Sequence, residues 1–111
     1  MAYYHYASRQ GAQDIFCARR IIPGRSGKIY VTRMLYVVGA EAANELSITG
    51  KPVEMACEIP DNSVGAPTAP QRTHPLWGPD GTLIRRGGGE EVSTAQIIDA
   101  RRLKWISLRE P

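Results

Sequence analysis

The chain has 111 residues, a mass of 12.2 kDa, a net charge of +3 and a hydrophobic fraction of 42%. These values predict a single globular domain over residues 1–111 and argue against wholesale disorder. No apolar run is long enough to span a bilayer, and the first residues lack the basic and apolar regions of a signal peptide. The sequence therefore predicts a cytoplasmic protein with no membrane partner.

The basic surplus is small, with fourteen Lys and Arg residues against eleven Asp and Glu residues. Such a surplus helps to attract an anionic dinucleotide, but without a clustered basic face it does not indicate nucleic-acid binding. Three arginine doublets stand far apart in the sequence, and each is expected to be solvated surface: 19–20, 85–86 and 101–102.

The chain contains two cysteines, Cys17 and Cys57. Their spacing matches neither a metal-ligand motif nor a disulfide framework, so both are expected to be small core residues. No metal is expected.

The first predicted unit is a strand followed by a helix. Residues 2–7 are rich in aromatics, which suit a half-buried strand, and His5 would share one face of it with Tyr3. Ser8 is a suitable cap for a helix over residues 9–18. The apolar face of that helix is predicted to contain Gly11, Ala12, Ile15 and Phe16.

A strand that runs directly into an Ala-rich helix is the second predicted unit. A turn cluster at residues 23–27 precedes a strand at 28–32, and the pattern from 33 to 46 is helical, which places Tyr36 on that helix. The small side chains at 40, 42 and 43 would let the helix lie close to a sheet.

The sequence pattern after residue 52 predicts mostly strands. Alternation of apolar and polar residues over 53–60 is typical of a strand, and a long Pro- and Gly-rich connection follows at 61–89. A strand at 90–97, a turn or short helical piece at 98–100 and a closing strand at 103–108 complete the chain. This order favours an α+β fold, with helices on a mainly antiparallel or split sheet.

Three local strings together resemble a known family. They are YHYAS at 4–8, IYVT at 29–32 followed by GAEAA at 39–43, and GGGEE at 87–91. In order and spacing they are similar to the motifs of small ADP-ribosyltransferases of the His-Tyr-Asp/Glu type. The second string is especially similar to the same segment of the rifamycin-modifying enzymes. The resemblance implies a compact split β-sheet core with two helices in its N-terminal half, and NAD as the substrate.

The resemblance also implies roles for individual residues. Tyr30 would stack on the cationic nicotinamide ring, and His5 would hydrogen-bond the other ribose. A carboxylate beside the nicotinamide ribose would stabilise the oxocarbenium-like transition state. The expected NAD contacts are His5, Tyr6, Ala7, Tyr30, Thr32 and Tyr36.

Three residues are candidates for the catalytic acid. Glu90 and Glu91 would point to opposite faces of a strand, so at most one of them faces a cleft. Glu91 is preferred because it shares its side with small residues, Ser93 and Ala95. Asp61, which follows the 53–60 strand, is the third candidate, and the resemblance to the rifamycin-modifying enzymes implies it.

The acceptor of ADP-ribose stays open among a protein, a nucleic acid and a small molecule, and so does hydrolysis of NAD by water. Gly89 stands where arginine-modifying relatives have a second acid, which disfavours arginine as the acceptor. Use as a toxin or effector domain is also open. The alternative function is a non-catalytic module of the same fold that holds a protein or nucleic acid through the 61–89 loop and the arginine doublets.

Overall fold

Two three-stranded antiparallel sheets form the centre of the fold in the computed structural model, which describes residues 1–110. The helices within these residues are α1 (Arg9–Ala18) and α2 (Gly39–Glu45), with a single 3-10 turn at Asp61–Ser63. The strands are β1 (Ala2–Ala7), β2 (Arg20–Ile21), β3 (Ile29–Val31), β4 (Met55–Pro60), β5 (Gln71–Arg72), β6 (Leu76–Trp77), β7 (Leu83–Arg85), β8 (Glu90–Thr94), β9 (Ile98–Asp99) and β10 (Lys104–Ser107). The predicted α+β class, with two helices in the N-terminal half, is confirmed.

The two sheets meet at one pair of residues. The first has the strand order β1-β4-β10 and the second has the order β3-β8-β5. Tyr4 and Thr32 form an isolated bridge between them, in which each N–H donates to the other residue's carbonyl at 2.7 and 3.0 Å. Because β3 ends at this bridge, the two sheets lie side by side there and separate elsewhere.

The core lies between these sheets, and its most deeply buried members include Val31, Cys57, Ile59 and Ile98. The predicted alternation along β4 is incomplete, because Ala56 is also fully buried. As the central strand between β1 and β10, β4 has both of its edges paired. No helix within residues 1–110 is long and apolar enough to cross a bilayer.

Helix α1 begins and ends as predicted, but its buried face is narrower. The hydroxyl of Ser8 accepts the N–H of Gly11 at 3.1 Å, which confirms the cap. Ala12 is buried and Ile15 packs against the core, whereas Phe16 is 68% exposed. The prediction that Phe16 is buried was wrong, and Cys17 on the next position is also exposed.

Helix α2 begins six residues later than predicted, so the placement of Tyr36 on a helix was wrong. Residues 33–38 are irregular because their backbone groups bond outside the segment. The hydroxyl of Tyr6 donates to the carbonyl of Met34 and accepts the N–H of Tyr36. Arg109 donates its N–H to Val37 and accepts the N–H of Gly39. These bonds replace the helical ones that the sequence pattern favours.

The C-terminal half contains more short strands than predicted. The 61–89 connection includes the 3-10 turn and β5, β6 and β7, of which β6 and β7 pair with each other. The strand predicted over 90–97 ends at Thr94, whose hydroxyl accepts the N–H of Gln96 and donates to the carbonyl of Gly65. Residues 98–100 are not helical, because β9 pairs with β2.

Candidate active site

A cleft of about 900 Å³ opens along β3 and β8, next to the junction of the two sheets. Side chains from β1, α1, β2, β3, β5 and β8 line it. Five of the predicted site residues are among them: His5, Tyr6, Tyr30, Thr32 and Glu91. They come from three parts of the chain, and the fold brings them to one cleft.

The His5 imidazole is held by the neighbouring sheet. Its Nδ1 lies 2.9 Å from the carbonyl oxygen of Tyr30. A carbonyl can only accept, so Nδ1 carries the proton and the neutral ring keeps Nε2 as an acceptor. Burial lowers the pKa of His5 below its usual 6.5, and the bond to Tyr30 only partly offsets this effect. The ring is therefore neutral at pH 7.

Tyr30 presents its ring to the cleft. Its neighbours in β3, Ile29 and Val31, are buried in the core, whereas Tyr30 is 44% exposed. This alternation follows directly from the period of a strand. Tyr30 pairs with Ser93 across β3 and β8, so both side chains lie on the same face of the sheet. An exposed aromatic ring at this position is available for stacking.

Glu91 lies on the same face of β8 as Ser93, and therefore on the face of Tyr30. Its side chain is half-buried, and burial raises the pKa of the carboxyl above its usual 4.5. Among residues 1–110, no hydrogen bond or ion pair involves this carboxylate. A partly desolvated carboxylate without a partner is typical of a functional position.

Three cations also line the cleft, and the sequence interpretation did not include them among the site residues: Arg20, Lys28 and Arg72. The Arg72 guanidinium donates to the carbonyl of Gly88 at 2.9 Å, which orients it. Besides Glu91, the cleft is lined by one other carboxylate, that of Asp14, which accepts a bond from Gln10. Arg20 and Arg72 belong to two-residue strands, which no periodicity in the sequence marks.

Glu90 and Tyr36 line a different cavity, of about 580 Å³. It lies next to the cleft, and four residues line both: Thr32, Arg72, Glu91 and Val92. The hydroxyl of Thr32 donates to the carbonyl of Glu90 at 2.6 Å, which ties the end of β3 to the start of β8. The Glu90 side chain itself is exposed.

Asp61 and Ala7 line neither cavity. The Asp61 carboxylate pairs with the Arg33 guanidinium at 2.5 Å near the protein surface. Arg33 also lies over the ring of Tyr3, 3.7 Å from its centroid. Asp61 is therefore engaged in a surface ion pair away from His5 and Tyr30, and Glu91 is the candidate acid that the fold places with them.

No protein-family model, curated protein or solved structure matches this chain. Within residues 1–110, no three His, Cys, Asp or Glu side chains are grouped so that they could hold a metal ion. The geometry of the cleft is thus the basis for a functional proposal.

Proposed function

We propose that the protein is an NAD-dependent mono-ADP-ribosyltransferase, which cleaves the nicotinamide–ribose bond and transfers ADP-ribose to an acceptor, or to water as an NAD glycohydrolase. The observation that carries this proposal is the convergence of His5, Tyr30 and Glu91 on one cleft. These are the three residue types of the family's motifs, and the resemblance implies the role of each.

Glu91 is suited to the bond-breaking step. When the nicotinamide–ribose bond breaks, its electron pair leaves with the nicotinamide, which becomes neutral, and positive charge develops on the ribose. A carboxylate fixed beside that ribose stabilises the charge and accepts hydrogen bonds from the ribose hydroxyls. The Glu91 carboxylate is free for this purpose because no other described residue engages it.

Tyr30 and His5 are suited to holding the substrate. The exposed ring of Tyr30 offers an aromatic face to the cationic nicotinamide. The neutral imidazole of His5 offers Nε2 as an acceptor for a ribose hydroxyl, because Nδ1 is already committed to Tyr30. That bond also joins the two residues, so a shift of β3 would move the proposed ribose contact with it.

The size and charge of the cleft support an anionic dinucleotide as the ligand. A volume of about 900 Å³ lies in the range of small-molecule sites. Arg20, Lys28 and Arg72 provide positive charge that would favour the pyrophosphate. The meeting of two sheets at a single bridge, Tyr4 with Thr32, supports the split-sheet core that the resemblance implies.

Incubation of the protein with NAD tests the proposal directly. We expect release of nicotinamide, and a rise in the melting temperature when NAD is added in excess, because a ligand that binds the folded state stabilises it. The alternative, a non-catalytic binding module, predicts neither effect. A protein that is folded but releases no nicotinamide, and labels no acceptor in a lysate with ADP-ribose, would contradict the proposal.

A further inference from the structure

Two arginine doublets that are distant in the sequence lie side by side in the fold. Strands β2 and β9 pair so that Arg20 is opposite Asp99. The N–H of Ala100 donates to the carbonyl of Arg19 at 3.0 Å, which extends the pairing towards the second doublet. We call the four residues of this surface the basic ribbon: Arg19, Arg20, Arg101 and Arg102. All four side chains are exposed, as expected for solvated surface, but the two doublets are neighbours in the fold although they are distant in sequence.

The basic ribbon has little neutralising charge. All four arginines are exposed, and Arg101 alone forms an ion pair, at 2.6 Å to Asp99. The hydrogen bonds from Arg101 lower the pKa of Asp99 to about 2, and the charge of Arg102 contributes to this effect. Among residues 1–110, no carboxylate lies within ion-pair distance of the other three guanidinium groups.

An exposed aromatic ring lies one helical turn before this ribbon. Phe16 is 68% exposed on the last part of α1, and Arg19 caps the same helix three positions later. Arg19 has a left-handed backbone with a φ of 61°, so it marks the end of the helix and the start of the basic ribbon. A large exposed ring beside guanidinium groups is the combination that holds unpaired bases, by stacking, and their phosphates, by charge.

We propose that Phe16 and the basic ribbon bind a single strand of nucleic acid. Arg20 belongs to the basic ribbon and also lines the cleft, so a bound strand would lie at the edge of the cleft. An acidic protein would use the same charges without the ring, whereas an anionic bilayer would use both the charges and the ring, so binding to anionic vesicles is a competing outcome of the test. The inference goes beyond NAD cleavage and does not depend on it, because the surface needs no NAD to bind.

Fluorescence anisotropy with a labelled oligothymidylate of about twelve nucleotides tests the inference without NAD. Three unpaired guanidinium groups predict a slope of about −2 for the logarithm of affinity against that of salt concentration. Affinity should therefore fall by about 20-fold between about 50 and about 200 mM salt. A duplex of the same length should bind more weakly, since its bases are not free to stack on Phe16.

Variants test whether binding depends on this surface or only on the overall positive charge of the protein. R19Q/R102Q should weaken binding of the oligothymidylate by about 10-fold or more, and F16A by at least about 5-fold. The matched control R25Q/R109Q removes two exposed arginines outside the ribbon that form no ion pair among residues 1–110, and it should change affinity by less than about 3-fold. Thermal melting checks that each variant is folded.

The outcomes distinguish this inference from the proposed function. Absence of oligonucleotide binding by the wild type, equal binding of the duplex, or unchanged affinity in R19Q/R102Q would overturn the inference, and so would binding only to anionic lipid vesicles. Nicotinamide release is measured in parallel, and we expect R19Q/R102Q and F16A to retain it, because none of the three residues lines the cleft. Oligonucleotide binding without nicotinamide release would overturn the proposed function alone.

Discussion

Glu91 lines both cavities beside the start of β8, whereas Glu90 lines only the second. The cleft contains Glu91, which is half-buried, and the second cavity also contains Glu90, which is exposed. The two residues are adjacent in sequence, and the alternation of a strand separates them. Pairing of Tyr30 with Ser93 then decides which face becomes the cleft. The register of β8 with β3 therefore gives Glu90 and Glu91 different surroundings, although their side chains are chemically identical.

Replacing the two glutamates one at a time should give the largest difference. E91Q keeps the size of the side chain but removes the charge that would stabilise the oxocarbenium-like state, so we expect nicotinamide release to fall by about 100- to 1000-fold. E90Q, on the opposite face, should stay within a few-fold of the wild type. Steady-state rates with saturating NAD measure both.

D61N provides a second control for the same comparison. It breaks a surface ion pair with Arg33, which should cost less than about 1 kcal/mol of stability and leave the rate unchanged. If D61N or E90Q lost activity and E91Q kept it, the assignment of the acid to the cleft would be wrong.

Replacing one tyrosine from each cavity should also give different results. Y30A removes the aromatic face in the cleft and should raise the KM for NAD by about 10- to 30-fold, whereas Y30F should keep most of the affinity. Y36A changes the wall of the second cavity and should leave the KM nearly unchanged. Equal effects of Y30A and Y36A would place the nicotinamide between the cavities instead.

The irregular segment 33–38 that borders the second cavity depends on one hydroxyl. Tyr6 donates to Met34 and accepts from Tyr36, and burial raises the pKa of Tyr6 to about 12, so the phenol keeps its proton over the neutral range. Y6F should lower the free energy of unfolding by about 1 to 3 kcal/mol, because it leaves both backbone groups without their partner. Chemical denaturation measures this change, and a loss below about 0.5 kcal/mol would show that water replaces the hydroxyl.

The smallest expected effect concerns pH and His5 in the cleft. The folded-state pKa of His5 is below 6.5, so the unfolded chain takes up a proton that the folded protein excludes as pH falls through that value. The contribution of His5 to the free energy of unfolding should therefore be complete above about pH 6.5. Below that pH the free energy of unfolding should decrease, by at most about 1.4 kcal/mol per pH unit. H5N should lose this part of the pH dependence. If the free energy of unfolding depended on pH in the same way in the wild type and in H5N, the burial argument would be contradicted.

The sequence predicts the parts of the fold whose signals are local. The aromatic strand β1 and the Ser8 cap depend on neighbours within a few residues, and the structure confirms both, whereas the alternation along β4 is only partly present because Ala56 is also buried. The helical pattern over residues 33–38 fails because Tyr6 and Arg109, both distant in sequence, bond its backbone groups. Tertiary hydrogen bonds thus override a weak helical propensity.

Some features of the candidate site could likewise be predicted from the sequence, and others could not. The opposite faces of Glu90 and Glu91 follow from strand alternation, which the sequence reveals. The cations Arg20 and Arg72 could not be predicted, because their strands are two residues long and are defined only by pairing with β9 and β8. Likewise, the exposure of Phe16 depends on what α1 packs against, and not on the helix's own pattern.

A crystal structure of the E91Q variant with NAD would test the central claim most directly, since slow turnover should leave the substrate intact. The account predicts the nicotinamide ring against Tyr30, the nicotinamide ribose within hydrogen-bond distance of residue 91, and the other ribose at Nε2 of His5. NAD bound in the second cavity, or away from both cavities, would contradict the assignment of this cleft as the active site.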